Sequence, residues 1–220
     1  KEVKANVKAN DANGGVSLSW SAPLNAQIVS KIADRAKVNP VKASHESIKK
    51  FKGSEIRYFD KFRLGRSPFD KPLYVHQINV LPVASTKGRV HQIYLRQKLN
   101  GSREYYQLYR SPKENDVTGA PMWLSIPLKK PFKLQMEENL EIGYKIPIDS
   151  PHEVYIDANS KDQYLGVDGG LSAIYKKGEF VSAGTFTDQG YMAIELVISD
   201  SPTLSGDTIR ETFTRGPLPV

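Results

Sequence analysis

The 220-residue chain contains no cysteine, so neither disulfides nor thiol chemistry enters its stability or its function. That absence fits a protein that crosses an oxidising periplasm unpaired, although a cytosolic chain can share it. No apolar run approaches the ~18 residues needed to span a bilayer as a helix. The sequence also lacks a P-loop, a Rossmann glycine fingerprint, a nucleophile elbow and a zinc-protease pattern. His45, His76, His91 and His152 stand apart, none with a second metal-type ligand at i, i+4 on a convincing helix. Carboxylate neighbours such as Glu137 with Glu138, or Asp207 with Glu211, read as exposed charges and not as a glycosidase pair. The run from Asp157 resembles a calcium loop only until Lys161 takes an oxygen-ligand position and Asp162 stands where glycine is needed, so a polar turn is expected. These gaps lead to a non-enzymatic protein with no cofactor and no metal.

What the chain does hold is enough apolar residue for a core, 39% hydrophobic and 10% aromatic, which excludes global disorder. Its length fits one domain of sandwich or barrel size. The net charge of +7 is split unevenly. Residues 31–110 carry 18 Lys/Arg against 6 Asp/Glu, and residues 147–220 carry 5 against 11. A single-signed basic chain would point to nucleic acid; a basic half and an acidic half make that partner unlikely and suit head-to-tail self-association or a plain solvated surface. The opening Lys1-Glu2-Val3 shows no signal-peptide pattern, as in a processed mature protein or a trimmed one.

Period-two alternation is the leading pattern. Val3, Ala5, Val7 and Ala9 fall on one face of an N-terminal strand, with Lys4, Asn6, Lys8 and Asn10 on the other. Val16, Leu18 and Trp20 continue after a turn-rich break, and Pro23 ends that strand or puts it at an edge. Residues 31–52 read as a basic loop with a turn or two of helix. Strands follow over 73–83, 90–99, 104–109, 122–128, 140–148, 154–156, 171–175 and 179–186, with Asn100-Gly101 signalling a tight hairpin. A second clean alternation places Met192, Ile194, Leu196 and Ile198 on one face. Trp20 and Trp123 sit in strand patterns and read as core. The fold expected is all-β, an immunoglobulin-like β-sandwich. Residues 1–13 read as an N-terminal extension, 14–200 as the sandwich, and 201–220 as a tail or an extra strand.

One stretch combines rings with cations: Tyr94, Tyr105, Tyr106 and Tyr109 lie beside Arg96, Lys98, Arg103 and Arg110. Such a surface binds single-stranded nucleic acid by stacking and phosphate contact, or an acidic glycan by ring faces and charge. The simpler reading is a hairpin with one aromatic face buried and one charged face wet.

The N-terminal alternation and the segment from Ala183-Gly184-Thr185 to Ile198 resemble the subunits of chaperone–usher fimbriae. Trp20-Ser21-Ala22-Pro23-Leu24-Asn25 and Asp207-Thr208-Ile209-Arg210-Glu211-Thr212-Phe213 are similar to segments of one fimbrial subgroup. The resemblance implies an incomplete immunoglobulin-like fold completed by a neighbour's N-terminal strand, with Val3, Ala5, Val7 and Ala9 as the donor residues. It further implies self-assembly into a fimbria, a periplasmic chaperone and usher as partners, a host glycan as receptor, and a cell-surface location. The readings held beside it are a glycan- or nucleic-acid-binding β-domain and a viral or phage jelly-roll protein whose basic half faces a genome.

Overall fold

Period-two hydrophobicity becomes strand after strand in the computed structural model, which describes residues 5–10, 15–20, 26–44, 55–67, 70–81, 89–90, 92–98, 105–110, 115–116, 122–147, 153–163, 169–176, 179–185, 190–204, 206 and 208–213. In chain order the strands are β1 (Ala5–Asn10), β2 (Gly15–Trp20), β3 (Gln27–Ile32), β4 (Pro40–Ser44), β5 (Glu55–Arg63), β6 (Tyr74–Val80), β7 (Arg89–Val90), β8 (Gln92–Lys98) and β9 (Tyr105–Arg110). They continue as β10 (Asn115–Asp116), β11 (Leu124–Lys133), β12 (Asn139–Pro147), β13 (Glu153–Asp157), β14 (Gly169–Lys176), β15 (Glu179–Thr185), β16 (Tyr191–Met192), β17 (Ile194–Ser199) and β18 (Thr208–Phe213). The protein is all-β, and one 3-10 turn over Ala158–Gln163 interrupts the described strands.

Two large sheets face each other. One has five strands in the order β11-β6-β17-β3-β18, the other six in the order β15-β14-β5-β12-β8-β9. Ile32, Ile78, Val80, Leu196 and Ile198 from the first pack in one apolar cluster with Ile56, Tyr58, Ile93, Leu95, Leu140, Ile142 and Tyr144 from the second. Alternation does this: with every second side chain turned inward, each strand leaves its other residues on the outer face. A three-stranded sheet, β16-β13-β4, adds Val154, Ile156 and Met192 to the same core. Asp60, 1% exposed, ties this sheet to β5 by accepting the Met192 N–H at 2.9 and 3.1 Å. Close strand approach also demands Gly143, since a Cβ there would run into the Tyr58 carbonyl oxygen.

One segment differs from the sequence expectation, and in a second, expected as a tail or an extra strand, Thr208–Phe213 form a strand. Within 31–52, the described residues form a turn after β3 and then strand β4, where a basic loop or short helix was expected; 45–54 lie outside the described residues. Pro40 is compatible with a strand because it stands first in β4, an edge strand where its missing N–H costs no ladder bond. Beyond residue 200 the chain crosses β3 and pairs with it in parallel as β18. Asp200 anchors that crossing, accepting the Ile28 N–H at 2.9 Å and pairing with Lys71 Nζ at 2.9 Å. The N-terminal alternation forms β1 as expected, paired with β2 in a two-stranded sheet of their own.

Candidate functional site

Of the donor-strand residues, Ala5, Val7 and Ala9 lie in β1, opposite Trp20, Leu18 and Val16 of β2, and Val3 is outside the described residues. Of the aromatic and basic stretch, β8 and β9 form the expected hairpin at the edge of the six-stranded sheet. Tyr105, Tyr106, Tyr109 and Arg110 stand on β9 and Lys98 ends β8, while Arg103 lies outside the described residues.

Tyr94 is no ligand platform, because it is 1% exposed. Its hydroxyl donates to Glu141 Oε1 at 2.7 Å, and burial, followed by the adjacent Glu141 charge, raises its pKa well above 10.0. Arg57 Nη1 lies 3.4 Å and Arg96 Nη1 3.7 Å from the same carboxylate oxygen. The Arg57 guanidinium sits 5.2 Å from the Phe59 ring centroid and 5.8 Å from that of Tyr94. Ring and cation are therefore spent on each other around Glu141.

The Asp157 segment is the polar turn expected of it. Asp157 Oδ1 accepts the N–H groups of Asn39 and Asn159, both at 3.1 Å. Among the described residues no cluster of metal-type ligands occurs. Trp123 is half-buried ahead of β11, and the Trp20 side chain lies outside the described set.

The outer face of the five-stranded sheet carries a feature that sequence reading missed, a cleft of about 440 Å³. Because Leu196 and Ile198 turn into the core, Glu195 and Val197 of β17 face outward into it. Neighbouring strands add Gln77 and Asn79 from β6, Gln27, Val29 and Lys31 from β3, and Thr208 and Arg210 from β18; Arg35, Leu204 and Gly206 come from loops.

Its floor is a connected polar network. Gln77 Nε2 donates to Asn79 Oδ1 at 2.7 Å, and Asn79 Nδ2 donates to Glu195 Oε1 at 2.5 Å. Glu195 Oε2 accepts the Arg35 backbone N–H at 2.5 Å, and Lys31 Nζ stands 3.7 Å from Oε1. Glu195 is only 1% exposed, and two N–H donors together with the Lys31 ammonium hold its charge. The Arg35 amide is aimed at it by a reversal at Ala33, whose φ of 63° is left-handed and costs a non-glycine residue about 1 kcal/mol. A sequence signal for this site existed: one carboxylate inside an otherwise apolar run from Tyr191 to Ile198 is out of place unless something holds it.

No family model matches the chain, and no curated protein matches it. Among solved structures, the cysteine protease and lectin-like domains of Cwp84, a surface layer associated protein of Clostridium difficile, align with 67% of this chain and 32% of that one, at 11% identity and a TM-score of 0.41. The chain spans about a third of that structure's length. At this distance the likeness carries no chemistry across.

Proposed function

We propose that the protein is a non-enzymatic glycan-binding β-sandwich domain that acts at a cell surface, with the cleft on the five-stranded sheet as its binding site. The observation that carries this reading is the half-buried Gln77 amide, prearranged by the buried Asn79 and Glu195 beneath it. Sugar hydroxyls each donate and accept, so they are met best by fixed amides and carboxylates whose own geometry is locked by mutual hydrogen bonds. Val29, Val197 and Leu204 supply apolar contact for the C–H faces of a ring. Among the described residues Glu195 is the one carboxylate lining the cleft, and glycoside hydrolysis ordinarily needs two, so the reading is binding and not cleavage.

With no aromatic ring in the lining among the described residues, each site is expected to bind weakly, with Kd on the order of 0.1–1 mM, and to rely on several copies for avidity. Calorimetric titration with a panel of neutral and acidic oligosaccharides tests the reading. Gln77→Ala, which removes a half-buried donor to Asn79, is expected to weaken binding about tenfold with little change in thermal midpoint. No binding to any oligosaccharide at roughly 10 mM, far above the expected Kd, would end the proposal.

A second reading concerns assembly. β1 and β2 form a sheet separate from the sandwich, and among the described residues the outer edge of β1 pairs with no strand. An alternating strand with a free edge suits β-augmentation of a neighbouring copy, as in a fimbrial polymer, with main-chain bonds giving affinity and Val3, Ala5, Val7 and Ala9 entering pockets. Deleting residues 1–10 is then expected to abolish fibres seen by electron microscopy. Fibres formed by the deletion variant would exclude strand donation.

A further inference from the structure

Resting on the glycan reading, we infer that the cleft selects an anionic sugar, one bearing a carboxylate or sulfate. Among the described residues three cationic side chains line it against the single carboxylate of Glu195. Lys31 is occupied, standing 3.7 Å from Glu195 and 3.8 Å from Asp34. Arg35 and Arg210 are different. The Arg35 guanidinium donates from Nη1 to the neutral hydroxyl of Ser125 at 3.0 Å, and among the described residues no carboxylate pairs with it. Arg210 is exposed on β18, and among the described residues no carboxylate pairs with it.

The two guanidinium groups approach from opposite margins of the sheet. Arg35 reaches β11, one edge strand, and Arg210 stands on β18, the other. Four strand spacings separate those edges, roughly 19 Å, with the polar floor between them. An extended oligosaccharide lying across the strands meets amides along its middle and a planar, permanently charged fork towards each end. Guanidinium groups match carboxylate and sulfate geometry in a bidentate way that an ammonium cannot. The buried carboxylate opposes this little, since Lys31 offsets its charge and the Asn79 and Arg35 amides hold it beneath the floor.

The experiment is calorimetric titration of the full chain with three probes: a galacturonate tetrasaccharide, its neutral methyl ester, and a sulfated heparin tetrasaccharide. The acid is expected to bind at least about tenfold tighter than the ester, a preference that declines with added salt. Arg35→Gln and Arg210→Gln should each reduce that preference several-fold, and together bring the acid to the level of the ester. Arg66→Gln serves as the control, since Arg66 is an exposed arginine outside the cleft and pairs with Glu137. Tight binding of the heparin probe with a weak galacturonate supports the anionic class and assigns sulfate as its source. Equal binding of acid and ester overturns the selectivity and leaves the glycan site standing. Failure of all three probes overturns the glycan site itself, and an equal loss of preference in Arg66→Gln reduces the effect to general surface charge.

Discussion

Glu195 and Glu141 show what a carboxylate needs in order to stay inside a β-sandwich. Each is less than 5% exposed, and each is held by donors on neighbouring strands. For Glu141 a principal donor is the Tyr94 hydroxyl, so Tyr94→Phe removes a hydrogen bond to a buried charge and is expected to cost about 1–3 kcal/mol in urea denaturation. His76 is the opposite case, a buried base kept neutral. Its Nε2 lies 2.7 Å from Ser199 Oγ and 3.0 Å from the Ser201 carbonyl, and burial lowers its pKa below 6.5 despite the raising effect of that carbonyl. The unfolded chain therefore takes up this proton first as pH falls. Stability should be fully present above about pH 6.5 and decline as pH drops below it. The urea midpoint measured from pH 8 to pH 5 should fall less steeply in His76→Asn; parallel profiles would remove His76 as the cause.

Elements rich in alternating β-branched and aromatic residues were legible in the sequence, and β6, β8, β9, β12, β15 and β17 lie close to where the pattern puts them. β3 was missed for a physical reason: Gln27, Ser30 and Lys31 break the alternation, because Gln27 and Lys31 line a cleft while Ser30 points inward. For β18, expected as a tail or an extra strand, it was the pairing that stayed hidden, since a polar strand joining β3 in parallel across a crossover is announced by no local pattern. The cleft was illegible for a related reason, since its lining comes from four strands and separate loops spread over most of the chain. Only Glu195, a lone charge in an apolar run, marked it. Tyr94 misled because ring-and-cation spacing looks the same whether the partners face a ligand or each other. At this scale Gly143→Ala is expected to be severe, several kcal/mol, because the added Cβ meets backbone that cannot step aside. Failure to recover folded protein, or a large drop in thermal midpoint, is the readout.

Across the whole molecule, the division of charge along the sequence does not survive folding as a division in space. The five-stranded sheet places β6, from the basic half, beside β17, from the acidic half. The six-stranded sheet likewise mixes β5, β8 and β9 with β14 and β15. Strand interleaving thus cancels much of the polarity that would have steered identical copies head to tail. Assembly of this protein, if strand-donated, owes little to charge. Sedimentation at about 20 and about 500 mM salt should give the same distribution of free and assembled chain, although the Debye length changes several-fold between them. A strong shift toward free chain at high salt would favour charge-driven association.

The parallel pairing of β18 with β3 has a further consequence for how the protein is made. The cleft joins Gln27 to Arg210, so its two ends are far apart in the order of synthesis. While translation proceeds, the floor can assemble once β17 has emerged, yet the Arg210 margin waits for β18. A nascent chain that has not yet reached β18 would therefore hold most of its core and a cleft without its Arg210 margin. On the glycan reading, such an intermediate would carry the floor but lack one of the two charged ends, and full selectivity would arrive only with the last strand.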